Sequence, residues 1–100
     1  MITIETIEDR LKKIGKKSFV CHLYPELKKN IEVTIEEIAS KYSEFGTYTK
    51  NAQRTRLSNA RYIFRNGAEK EALWCIINSK NVDKYSLKQA QEYINSFNNK

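Results

Sequence analysis

Apolar residues recur at intervals of three and four along most of this chain, the repeat of helices that turn one face inward. Ile4, Ile7, Leu11 and Ile14 open the pattern, and Gly15 follows as a C-terminal stop. A second helix is expected from near Ser18, presenting Phe19, Val20 and Leu23. Pro25 should end or turn it, because the residue before a proline is pushed out of helical geometry. The "PELKKN" that follows reads as one extra turn, and "IEVTI" at Ile31 to Ile35 is a short strand-like alternation.

Thr34 and Glu37 form a capping box, in which each side chain satisfies a free backbone N–H at the other position. They start a short helix, "IEEIASKY", which "SEFGT" breaks. Thr49 caps a long helix that Asn66-Gly67 closes. Next comes "AEKEALWCIINS", whose six consecutive apolar residues (72–77) leave little room for a wet face. Such a helix is central to the core or partly an oligomer contact. Trp74, Ile76 and Ile77 are therefore candidate interface residues of a homodimer, although Trp74, inside the most apolar run, reads first as core. Ser86 and Gln89 make a second capping box for a last helix through Leu87, Ala90, Ile94 and Phe97, and the tail "NNK" is expected to fray. With no repeat, linker or low-complexity tract, residues 1–100 read as one all-α domain of five or six short helices.

Composition fits that reading. Forty per cent hydrophobic and 30% charged residues exclude a fully disordered chain, and 100 residues can bury a modest core without staples. No apolar run approaches the roughly 18 residues needed to span a bilayer, and "MITIETIEDRLKK" is too charged for a secretory signal. Cys21 and Cys75 lie in apolar neighbourhoods and read as buried free thiols in a reducing compartment. A cytoplasmic protein is the expectation.

Charge changes the picture more. Residues 1–44 are net neutral and residues 69–100 carry +1, whereas residues 45–68 carry Lys50, Arg54, Arg56, Arg61, Arg65 and no acid. On a helix turning about 100° per residue, with Ala52 at zero, Lys50, Arg61, Arg54 and Arg65 fall within a stripe about 60° wide and about 22 Å long. Ile63, Ala60, Phe64 and Leu57 make the apolar sector, and Ser58, Asn51, Tyr62 and Thr55 border the stripe. Arg56 lies off it, where it could tie the helix to Glu36 or Glu37.

Like charges at i,i+4 destabilise an isolated helix by a few tenths of a kcal/mol, so an unrelieved stripe calls for an explanation. A polyanion supplies one: arginine suits planar, multi-donor contact with phosphate, and Asn, Ser and Thr suit phosphates and base edges. A solvated face, or one paired with acids from elsewhere in the fold, is the competing explanation. Lys12, Lys13, Lys16 and Lys17 around Gly15 could add phosphate contacts if they fold beside the long helix.

"TIEEIASKY" resembles the first helix of helix-turn-helix DNA-binding domains over about residues 34–65. That resemblance implies Thr49 to Arg65 as recognition helix, with Lys50, Asn51, Arg54, Thr55 and Ser58 facing DNA and Arg61 and Arg65 on phosphates. "SEFGTY" is longer than the usual 3–4-residue turn. The function expected is nucleic-acid binding, double-stranded DNA in preference. The alternative is a small interaction module, a regulator or inhibitor that covers an acidic surface of a partner protein.

Chemistry for catalysis is thin. His22 is the only histidine and adjoins Cys21, but neighbouring helical residues diverge by about 100° and cannot easily grip one metal. No further ligand pair completes a zinc site, and His22 reads as a core-edge or surface residue. Gly15, Gly46 and Gly67 are isolated, so no phosphate loop exists. The expectation is a non-enzymatic protein without metal, cofactor or membrane partner.

Overall fold

The computed structural model describes residues 2–98, and among these it shows seven helices and no strand. Helix α1 (Ile4–Ile14) is capped by Thr3, whose hydroxyl accepts from the Thr6 N–H, and stops at Gly15 with φ +87°. Three stretches, Lys16–Ser18, Phe19–Leu23 and Tyr24–Lys29, run on as one helix, α2. Then follow α3 (Ile35–Lys41), the single turn α4 (Ser43–Gly46), α5 (Lys50–Arg65), α6 (Glu69–Ile77) and α7 (Lys84–Asn98).

Pro25 does not end the second helix. Instead Phe19–Leu23 widens into a π-helical turn, with the Tyr24 N–H reaching back to the Phe19 carbonyl, and Pro25 sits in the first turn of the α-helical stretch beyond it. A proline in an α-helix clashes with the carbonyl four residues back, here Cys21, and a turn holding one more residue relieves that clash. The capping box on Thr34 and Glu37 forms as expected, with Thr34 N–H on Glu37 Oε1 at 3.0 Å. The last helix starts earlier than expected. Asp83, not Ser86, caps it: its carboxylate accepts from the Ser86 N–H and hydroxyl at 3.0 and 2.7 Å. In the tail, Asn99 and Lys100 lie outside the described residues.

The seventh helix arises at the "SEFGT" break. Phe45 of α4 is fully buried, and its ring meets His22 edge-on at 6.0 Å. Glu44 holds Lys17 at 3.1 Å and His22 Nε2 at 3.3 Å, which docks the turn on α2. Gln53 of α5 donates to the Phe45 and Tyr48 carbonyls. Residues 42–49 are thus a structured connector, longer than the 3–4-residue turn of a helix-turn-helix unit.

His22 is buried, not at the core edge. Its Nδ1 meets the Ser18 hydroxyl at 3.2 Å, and Tyr42, Phe45 and Tyr48 surround the ring. Burial holds its pKa below the ordinary value, outweighing the Glu44 carboxylate that pulls it upward. The neutral ring therefore donates from Nε2 to Glu44 and accepts at Nδ1 from Ser18.

Helices α1 and α5 pack antiparallel: Arg10 meets Asn59 and Tyr62, while the Ile14 carbonyl meets Arg56. Between them and α2 lie the fully buried Ile7, Ile14, Phe19, Leu23 and Ile63. Helix α7 closes the other side, burying Ala90 and Ile94 near Leu73 and Ile76 of α6 and stacking Tyr93 on Tyr24 at 4.3 Å. Cys21 and Cys75 are free thiols, half-buried rather than fully so, and burial raises both pKa values. No helix among the described residues is long and apolar enough to cross a membrane.

Candidate nucleic-acid interface

Helix α5 begins where the Thr49 hydroxyl accepts from the Ala52 N–H at 3.1 Å, and ends as Gly67 takes φ +64°. Leu57, Ala60 and Ile63 enter the core, with Gln53 and Asn59 buried beside them. Lys50, Asn51, Arg54, Thr55, Ser58 and Arg65 are exposed, and Arg61 is half-buried.

The basic stripe does not stand free. It runs along residues 31–36, the irregular stretch at 31–34 and the first turn of α3, as a seam. Arg61 Nε donates to the Ile31 carbonyl at 2.8 Å and Nη2 to the Val33 carbonyl at 2.6 Å. Arg65 pairs with Glu32 at 3.2 Å, and Lys50 with Glu36 at 3.8 Å. Arg54 alone of the four binds neither carboxylate nor backbone among the described residues; its Nη1 donates to Asn51 Oδ1 at 3.3 Å. The two ion pairs are exposed, weak and open to screening. Arg61 is a different matter, because a planar guanidinium satisfies two carbonyls that no regular element serves.

Arg56 follows the same logic. Its Nη1 donates to the Ile14 carbonyl, one of the orphan acceptors at the end of α1, and its guanidinium lies 4.1 Å from the Tyr48 ring centre. It reaches neither Glu36 nor Glu37. For Arg56 and Arg61, then, the preference for arginine over lysine has a structural cause.

Sequence reasoning missed Arg10. Helix α1 carries it beside α5, where Nη1 donates to Asn59 Oδ1 at 2.9 Å and the guanidinium lies 3.9 Å over the Tyr62 ring. The available signal was its place at the flank of the Ile7, Leu11, Ile14 stripe, the edge that meets a neighbouring helix. Lys13, one turn further on, is exposed and pairs with Asp9 at 3.5 Å. The rest of that lysine cluster turns elsewhere. Lys17 binds Glu44, while Lys12 and Lys16 line a groove toward α6 with Glu8 and Cys75.

The α6 residues also divide. Ile76 is fully buried within the chain and cannot line an interface. Ile77 is half-buried against the core, and Trp74 is 44% exposed, so it is not core. Trp74 and Ile4 flank an open groove of about 620 Å³ that Glu8 and Glu71 rim. Among the described residues, no group of three or more His, Cys, Asp or Glu side chains is placed to hold a metal ion.

The outward side of α5 is thus a strip of Asn51, Arg54, Thr55 and Ser58, with Lys50 and Arg65 at its two ends and Arg10 alongside. Comparison with known proteins adds no assignment to this geometry: no family model matches the chain, nor does any curated protein or solved structure.

Proposed function

We propose that this chain is a nucleic-acid-binding domain, with double-stranded DNA as the preferred ligand. One observation carries the reading: no carboxylate belongs to α5, and α1 sets a further guanidinium beside it. Arg54 is the central phosphate contact, since no carboxylate among the described residues holds it. Arg10, Lys50 and Arg65 add positive charge around it, and phosphate neutralisation supplies most of a non-specific affinity. Asn51, Thr55 and Ser58, within the first nine residues of the helix, would meet phosphates or base edges, as in helix-turn-helix docking. Arg61 adds its charge beside them while its Nε and Nη2 hold the seam.

The test is fluorescence anisotropy with a labelled mixed-sequence duplex across a salt series. Four neutralised phosphates give a log–log slope of about −3 to −4. Arg54→Glu should flatten that slope and weaken binding. It is the right variant because Arg61→Glu would also break the seam. No binding near about 50 mM salt, or a slope indifferent to Arg54→Glu, would sink the reading.

A second reading is a protein-interaction module, a regulator or inhibitor that covers an acidic partner surface. The exposed Trp74 beside Ile4 favours it, because large aromatic residues are enriched at protein interfaces. Binding that depends on Trp74 and barely on salt would select it.

A further inference from the structure

Between α1 and α5 lies an open cleft of about 450 Å³ lined by Arg10, Ser58, Arg61, Tyr62, Arg65 and Asn66. Three guanidinium groups share this lining with no carboxylate. Two are held in place by the fold: Arg10 by Asn59 and the Tyr62 ring, Arg61 by two backbone carbonyls. Each spends only part of its donor set. Arg10 uses Nη1, and Arg61 uses Nε and Nη2, so Nε and Nη2 of Arg10 and Nη1 of Arg61 have no side-chain or backbone partner among the described residues. Glu32 reaches Arg65 from outside but does not line the cleft.

We infer that this cleft is a preformed binding site for a phosphate group. Like charges placed together repel, and an anion between them removes that cost. Guanidinium forks match phosphate oxygens in geometry, and their hydrogen bonds to an anion are short and strong. The Ser58 hydroxyl and Asn66 amide supply neutral partners for the remaining oxygens. Because Arg10 and Arg61 are already anchored, little side-chain freedom remains to be lost on binding. The volume suits a phosphate ester with part of its attached sugar, within the range of small-molecule sites. The phosphate belongs either to a free phosphate ester or to a nucleic-acid strand. In the second case the inference rests on the reading above, and makes the cleft the point where the strand is anchored.

The experiment follows backbone amide shifts during titration with inorganic pyrophosphate, and duplex binding by anisotropy, for wild type, Arg10→Gln, Ser58→Glu and the distant control Lys80→Gln. Ser58 is exposed on a well-capped helix, so Ser58→Glu keeps the fold even if loss of the Arg10 contacts loosens α1. A free ester as ligand predicts saturable pyrophosphate binding with shifts at Ser58, Tyr62 and Asn66, abolished in both cleft variants and intact in Lys80→Gln. A strand as ligand predicts weak, unsaturable pyrophosphate binding, but duplex affinity reduced about tenfold or more by each cleft variant, the size of a lost hydrogen bond to a charged group. The cleft is ruled out if folded variants bind both probes as wild type does, or if neither probe binds. Duplex binding lost in Arg54→Glu but kept in both cleft variants, together with pyrophosphate binding that neither cleft variant changes, would discard the cleft and leave the nucleic-acid reading standing.

Discussion

Arg61 and Val33 are joined across the seam of the fold: Arg61 Nη2 donates to the Val33 carbonyl at 2.6 Å, while its Nε holds the Ile31 carbonyl at 2.8 Å. A single side chain thereby fixes a segment that belongs to no helix. Arg61→Ala should cost about 1–3 kcal/mol, the penalty for part-buried acceptors left unmade. Arg61→Lys should recover only part, since an ammonium lacks the planar fork. Urea denaturation of both, beside Arg54→Ala as an exposed comparison expected to change stability by less than about 0.5 kcal/mol, checks this. Equal stability of all three variants would contradict it.

Gly15 and Arg56 constrain each other. A Cβ at position 15 would lie 2.8 Å from Arg56 Nη1, at a φ of +87° that side chains rarely adopt. Gly15→Ala should destabilise the protein by at least about 1–2 kcal/mol, the usual cost of left-handed backbone for a non-glycine residue. The clash, unlike the backbone cost, depends on the arginine. In a double-mutant cycle with Arg56→Ala the losses should therefore fall short of additive. Additive losses would mean that the guanidinium simply moves aside.

Stability should fall as pH drops from about 7 to 5, because His22 is held neutral by burial. Its folded pKa lies below the unfolded value of 6.5, so the unfolded chain takes up the proton first and stability rises with pH across that window. Asp83 and Glu26 act lower down. Ser86 holds the Asp83 carboxyl below the usual range. For Glu26, burial pushes upward but the Tyr42 hydroxyl and Lys41 outweigh it. Both contribute stability above the ordinary carboxylate range that is lost in acid. Urea titrations at several pH values, with His22→Gln flattening the slope between about pH 7 and 5, would verify the assignment; an unchanged slope would refute it.

Glu32 and Glu36 draw on the same cations that the proposed ligand would use. Replacing both with glutamine frees Arg65 and Lys50, and duplex affinity should rise severalfold in low salt, fading as salt screens the exposed pairs. Anisotropy measures it. Unchanged affinity would show that these two cations stay out of binding.

Trp74→Glu should keep the fold, since the side chain is 44% exposed. Mass in solution then reports on α6: a species that dissociates only in the variant places Trp74 in a contact between copies. The same mass in both excludes that role.

Helix positions were legible in the sequence wherever a local signal existed. Thr34 with Glu37, Thr49, Gly15 and Gly67 all act within a few residues of themselves, and each ends or starts a helix as read. Ser86 misled because Asp83, three residues earlier, competes for the same N–H and hydroxyl, and a carboxylate wins. Pro25 misled because a widened turn accommodates it. The site was harder to read, because a helical wheel says which residues share a side but not what lies across from it. Arg61 and Arg65 share their stripe with Lys50, yet the segment at 31–36 is brought there only by the chain path through α2 and α3. Arg10 was invisible for the same reason, since its partners Asn59 and Tyr62 are distant in sequence. Trp74 lay in an apolar run too short for its periodicity to show which residue faces water.

The π-helical turn at Phe19–Leu23 has a consequence for how this chain can change length. A π turn is an α turn with one residue inserted, so one residue could leave this stretch while both flanks of α2 keep their phase. Elsewhere in the helix, a deletion would rotate everything beyond it by about 100°. That freedom is tied to Pro25, because closing the turn to α geometry brings back the clash with the carbonyl four residues earlier. The extra residue and the proline are therefore a matched pair that should be gained or lost together, so that a gap in a relative's sequence here should coincide with a different residue in place of the proline.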